Sequence, residues 1–89
     1  LRELLEGSAF KLIFEGGKAE SIEVAITSES PVAGKQLKDI RLPGKALVGV
    51  ILRGDEAIVP RGNTEILDGD HIVLFALPES VSKLLKYLT

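Results

Sequence analysis

The sequence predicts an α+β fold: a two-layer sandwich in which two helices cover a small, mostly antiparallel sheet. Three observations predict it. Short apolar runs recur from Ala9 to Leu77, separated by breaks rich in Gly, Pro and Asp. The segment Ala19–Thr27 alternates with period two, with Ile22, Val24 and Ile26 on one side and Ser21, Glu23 and Thr27 on the other. Near the C-terminus, Val81, Leu84, Leu85 and Leu88 fall at i, i+3, i+4 and i+7, an apolar helical stripe.

Each element follows in order. Leu1–Leu5 reads as the end of a helix or as a linker, with residues 1–8 leading in from an upstream domain. Leu1 in place of an initiator methionine fits an excised piece of a longer protein. Ala9–Glu15 is a strand, and Gly16-Gly17-Lys18 is a turn suited to positive φ. Together with Ala19–Thr27 these make a hairpin. Ser28-Glu29-Ser30-Pro31 breaks the chain. Ala33, Leu37 and Ile40 then recur at helical spacing, which predicts one or two helical turns over Val32–Ile40, stopped by Leu42-Pro43-Gly44.

Ala46–Leu52 is an unbroken apolar run, and a strand apolar on both faces is expected to be buried on both. Gly49 inside it predicts a bulge or the close approach of another group. Arg53-Gly54-Asp55-Glu56 turns the chain, Ala57-Ile58-Val59 pairs back, and Pro60 ends that strand because it has no N–H to donate. Arg61–Asp70 is a polar loop closed by the Asp68-Gly69-Asp70 turn. His71–Leu77 is the last strand. Pro78 and Glu79 open the terminal helix, with Ser80 as its candidate cap.

The 89 residues make one domain, 1–89. A chain of this size buries roughly 60–65% of the surface its unfolded form exposes, so the core is thin and dimerisation would help to cover it. Only three Phe and one Tyr contribute aromatics, which leaves Val, Ile, Leu and Ala to build the core. The absence of cysteine removes disulfides, thiolate metal sites and a cysteine nucleophile. No apolar run approaches the ~18–20 residues that span a bilayer. A net charge of −2 provides no basic footprint for DNA or RNA and disfavours an anionic membrane, but it leaves room for one anionic small ligand held by a few arginines.

Tempting motifs reduce to structure when their chemistry is checked. Gly34-Lys35 has Glu29 and Gln36 where a phosphate loop needs glycine and a hydroxyl residue. Asp68-Gly69-Asp70 with Glu79 has Ile72 and Val73 where a calcium loop needs an oxygen ligand and glycine. His71 is the only histidine, with no second imidazole to complete a zinc site, and it reads as a satisfied histidine at a strand edge. Arg53-Gly54-Asp55 spells an adhesion tripeptide, but its position between two apolar strands makes it a hairpin turn. No paired carboxylates and no nucleophile elbow appear. The reading is a non-enzymatic binding module, with no catalytic residue and no metal ligand assigned.

The order of motifs from Leu42 to Phe75 is more specific than any of its parts. Leu42-Pro43, a buried strand closing on Arg53, Ile58-Val59-Pro60, Arg61-Gly62-Asn63-Thr64, Leu67-x-Gly69-Asp70 and a final apolar strand follow one another. Ser30-Pro31-Val32-Ala33-Gly34-Lys35-Gln36-Leu37-Lys38-Asp39-Ile40 precedes them. This arrangement resembles the TrkA C-terminal domain, also called the RCK C-terminal domain, over roughly residues 19–88. The resemblance implies a cytoplasmic regulatory domain, peripheral to the inner face of the cell membrane, in a potassium uptake or channel protein. It implies a homodimer that senses ligand, with cyclic di-AMP or a cation as candidate effector and a membrane transporter or channel subunit as partner. No cofactor is expected within the domain, and NAD or ATP would belong to a missing upstream nucleotide-binding domain.

For a small anionic nucleotide, Val50, Ile51 and Pro60 would pack on an adenine, and Arg53 or Arg61 would meet phosphate bidentately. The same residues also suit a plain structural role, with the apolar ones as core and the arginines solvated or paired with Glu56 and Glu65. Two other functions compete with the regulatory one. The first is a ligand-free interaction domain in a cytosolic loop of another membrane transporter. The second is a small hydrolytic or transferase domain using His71 and Asp70.

Overall fold

The computed structural model describes residues 19–89 in full and residues 2–4 and 9–13 by their backbone. Among the described residues, six strands form one sheet: β1 (Arg2–Leu4), β2 (Ala9–Ile13), β3 (Glu20–Ala25), β4 (Ala46–Arg53), β5 (Glu56–Ile58) and β6 (His71–Ala76). Their spatial order is β1-β2-β3-β6-β4-β5, and every pairing is antiparallel. An α-helix, α1 (Val81–Leu88), covers a face of this sheet. The α+β class stands as predicted.

The alternation in β3 is what builds the core. Ile22, Val24 and Ile26 point inward with Ile72, Leu74 and Ala76 of β6 and Ile51 of β4, and all are buried. Val81, Leu84 and Leu88 of α1 close the cluster from the other layer, and Val32 and Ile66 seal it from the loops. Each such Val, Ile or Leu contributes about 1.5–3 kcal/mol relative to exposure. Aliphatic residues alone fill the described core.

Two expectations change, and a third falls outside the described residues. The segment expected to end a helix or form a linker contains a strand, Arg2–Leu4, paired with β2 at Arg2↔Leu12. The Gly16-Gly17-Lys18 turn lies outside the described residues, although the register Ile13↔Glu20 supports the hairpin it would close. The predicted helical turns over Val32–Ile40 contract to a single 3-10 turn, Leu37–Asp39. Gly34 there adopts φ +84°, which a helix cannot carry. The backbone bonds outward instead: Gly34 N–H to Ile66 O at 2.6 Å, Leu37 N–H to Thr64 O at 3.0 Å and Lys38 N–H to Gly62 O at 2.8 Å. Tertiary partners thus take the donors that a helix would have satisfied internally.

The apolar run of β4 also departs from expectation. Ile51 is buried, but Leu47 is 59% exposed and Phe75, opposite it on β6, is 41% exposed. Within this chain the strand is buried on one face only. The predicted bulge at Gly49 is present as a register shift between Val48 and Val50. A Cβ at Gly49 would run into the Phe75 ring, which is why glycine stands there.

Candidate functional site

Two connections meet beside the open end of β4. The first carries Leu37, Lys38, Ile40 and Leu42. The second, which follows β5, carries Pro60, Arg61 and Gly62. The Lys38–Gly62 bond and an isolated antiparallel bridge between Gln36 and Glu65 join them. Between these two walls and Val48 lies a groove of about 320 Å³. Its floor is aliphatic, from Leu37, Ile40, Leu42, Val48 and Pro60, and it is flanked by the cations Lys38 and Arg61. Arg61 is anchored through its backbone, whose N–H donates to the Thr64 hydroxyl at 2.9 Å. Among the described residues its guanidinium has no partner and is free to meet an anion. The volume lies at the lower end of the ~300–1,000 Å³ range of small-molecule sites.

The five residues singled out from sequence do not converge. Pro60 and Arg61 line the groove. Ile51 is fully buried in the core. Val50 sits opposite Val73, whose neighbours Ile72 and Leu74 point to the core, so Val50 is on the other face of the sheet.

Arg53 is engaged within the fold. Its Nε donates to Asp70 Oδ1 and its terminal nitrogen to Asp70 Oδ2, both at 2.8 Å, and the same nitrogen reaches the Glu65 carbonyl at 2.9 Å. The carboxylate partner is therefore Asp70, not Glu56 or Glu65. Asp70 is 1% exposed and also accepts the Leu67 N–H at 2.9 Å. The Arg53 hydrogen bond holds its carboxyl below the ordinary range, burial opposes this, and the Leu67 N–H and the Arg53 charge add to the lowering. Reciprocally, the Asp70 hydrogen bond pushes the Arg53 guanidinium above its usual value. This fork ties the end of β4 to the turn before β6 and fixes the loop that forms one groove wall.

His71 opens β6, a central strand. Its Nδ1 lies 3.1 Å from Glu23 Oε2 on β3. Ser80 occupies the position before α1 but makes no cap. Its hydroxyl instead accepts the Lys45 N–H at 2.8 Å, bridging the helix to the start of β4. Sequence reasoning missed Leu37, Lys38, Ile40, Leu42, Val48 and Gly62 as groove residues. Helical or strand spacing marks Leu37, Ile40 and Val48 as core, Leu42 reads as a helix stop and Gly62 as part of a polar loop, and only the long-range bridge between the two loops opens a groove there.

The fold defines a small antiparallel α+β module with one C-terminal helix, and solved structures place it among RCK domains. One solved structure of an RCK domain with cda superposes at a TM-score of 0.69 with 26% identity, over 78% of this chain and 97% of that chain. The TrkA-C domain model matches residues 22–89. Trk system potassium uptake protein TrkA homolog 2 of Methanosarcina mazei is 41% identical over 75 residues, covering 81% of this chain and 17% of that protein. TrkA homolog 1 of the same organism is 37% identical over 73 residues, covering 82% and 16%. Trk system potassium uptake protein TrkA of Mycobacterium tuberculosis is 31% identical over 75 residues, covering 84% and 34%. The chain belongs to the TrkA-C domain family. It spans about a sixth of the length of the archaeal relatives it matches.

Proposed function

We propose that this chain is the ligand-sensing and dimerisation domain of a cytoplasmic regulator of potassium uptake, and that its effector is read in the groove between Leu37 and Gly62. The observation that carries the reading is the pairing of an aliphatic floor with a free guanidinium, Arg61, at one wall. A nucleotide presents the matching chemistry, an apolar base face beside a phosphate. Cyclic di-AMP is the effector the family resemblance favours, and we read the cda of the solved RCK domain as the same molecule. Pro60 and the floor residues would take the adenine and Arg61 the phosphate, while Arg53 stays on Asp70. A ligand that prefers one dimer arrangement over another shifts the attached protein by that difference in affinity.

Calorimetry with cyclic di-AMP tests this. We expect saturable heat from the wild-type chain and at least a tenfold loss of affinity in Arg61→Ala, about 1.4 kcal/mol. No heat at high micromolar ligand removes this effector. One observation favours a second reading, a ligand-free interaction domain in a transporter: Arg53, the arginine closing the most apolar strand, is already committed within the fold. That reading expects a thermal midpoint indifferent to every nucleotide and cation.

A further inference from the structure

We infer that Arg53 and Asp70 are positioning residues for the groove: the fork between them anchors both walls to the sheet and so sets where Arg61 stands. This deepens the effector reading proposed above and rests on it for the ligand, though not for the anchoring. The two walls are one hydrogen-bonded unit. Leu37 N–H donates to Thr64 O, Lys38 N–H to Gly62 O, Gly34 N–H to Ile66 O, and Ile66 N–H returns to Lys35 O at 2.9 Å. Neither residues 34–38 nor residues 61–67 belong to a strand of the sheet. Among the described residues, the hydrogen bonds that leave this unit for the sheet converge on the fork. Arg53, the last residue of β4, donates to the Glu65 carbonyl. Asp70, the residue before β6, accepts the Leu67 N–H. Asp70 is itself fixed to the end of β3, because its carbonyl accepts the Ile26 N–H at 2.8 Å. Val32 and Ile66 bury fully beneath the unit. That burial is non-directional, so it holds the loops down without setting their position along the sheet.

The fork suits an anchor better than a ligand contact. Nε of Arg53 and both hydrogens of one terminal nitrogen are spent on Asp70 and on Glu65. Arg53 is also absent from the groove lining, whereas Arg61 is part of it. The planar guanidinium reaches both carboxylate oxygens and the carbonyl from one fixed geometry, which a lysine ammonium cannot do. Displacing Glu65 displaces Thr64, and with it the hydroxyl that accepts the Arg61 N–H. It also displaces Leu37, bound to the Thr64 carbonyl. Charge-assisted hydrogen bonds to phosphate are short, about 2.7–2.9 Å, so a shift of roughly 1 Å at Arg61 is enough to lose one.

Calorimetry with cyclic di-AMP on the 89-residue chain, as a double-mutant cycle of Arg53→Met and Arg61→Ala, tests this. Arg53→Met should bind about tenfold more weakly at a temperature where urea titration shows it folded. Added to Arg61→Ala it should cost less than about twofold more, because the residue it places is already gone. Losses that multiply in the double variant overturn the inference, since Arg53 would then act independently of Arg61. Wild-type affinity in Arg53→Met overturns it as well. Should Arg53→Met fail to fold, Arg53→Met/Asp70→Asn takes its place in the cycle. Asn keeps an acceptor for the Leu67 N–H and leaves no buried charge unpaired.

Amide exchange tests the anchoring without ligand. In Arg53→Met/Asp70→Asn the Leu37, Lys38 and Ile66 amides should exchange at least about fivefold faster, beyond any change in global stability read at Leu74 in β6. No such excess overturns the anchoring, whatever the ligand heats show. The excess together with no heat from the wild-type chain supports the anchoring and removes only cyclic di-AMP as effector.

Discussion

Replacing Arg53 with Met should expose how much the fork to Asp70 contributes. The substitution keeps an aliphatic stem on β4 and removes all three donated hydrogen bonds. Asp70, 1% exposed, then keeps the Leu67 N–H as its remaining donor among these contacts. Breaking a buried ion pair from one side costs about 3–5 kcal/mol. Arg53 is 35% exposed, so solvent screening lowers the expectation to about 2–4 kcal/mol. For a domain of this size that is a fall in Tm of roughly 10–25 °C.

The pH dependence identifies the cause. In the wild type the folded-state pKa of Asp70 is depressed. Its contribution is present above the unfolded value of about 3.9 and is lost as pH falls through the folded value. In Arg53→Met, burial is offset by the Leu67 N–H without the arginine, so the folded pKa rises from its wild-type value and the variant regains stability as pH falls below that raised value. Urea denaturation at about pH 7 and about pH 4.5 should therefore show the difference between the two proteins narrowing at the lower pH. A cost under about 0.5 kcal/mol, or a difference unchanged with pH, would refute the reasoning.

Other substitutions probe separate features. Leu84→Ala removes a fully buried side chain of α1 and should cost about 2–5 kcal/mol by chemical denaturation. Gly49→Ala pushes a methyl into the Phe75 ring and should cost about 1–3 kcal/mol, relieved in part by the double variant Gly49→Ala/Phe75→Leu. Ser80→Ala strands the Lys45 N–H and should cost about 1–2 kcal/mol, with faster amide exchange at Lys45. Arg61→Ala removes a side chain with no partner among the described residues and should leave stability within about 0.5 kcal/mol, so that any loss of ligand heat reports the groove alone.

The elements were legible where side-chain periodicity and backbone geometry agree. Ile22, Val24 and Ile26 have no arrangement except a strand that buries all three on one face. Val81, Leu84 and Leu88 likewise admit only a helix lying on that face. Gly49 announced its bulge, and the Asp68-Gly69-Asp70 turn its reversal, with Gly69 at φ +93°. The order of motifs from Leu42 to Phe75 was enough to reach the TrkA-C family before any fold was known. Where helical spacing met a glycine, the periodicity misled. Ala33, Leu37 and Ile40 suit a helix, yet Gly34 and the backbone bonds to the loop at 62–66 drew the segment into turns.

The pairing of Arg53 with Asp70 was decided only by tertiary structure. Seventeen positions separate them in sequence, and Glu56 and Glu65 are nearer candidates; burial of Asp70 just before β6 selects the pair. The groove is tertiary in the same sense, because Leu37 and Pro60 come together only once Gln36 bridges Glu65. Local pattern determined which residues face inward. Which loops meet, and hence which arginine is bound to the fold and which is left facing solvent, depended on long-range backbone bonds that no local pattern records.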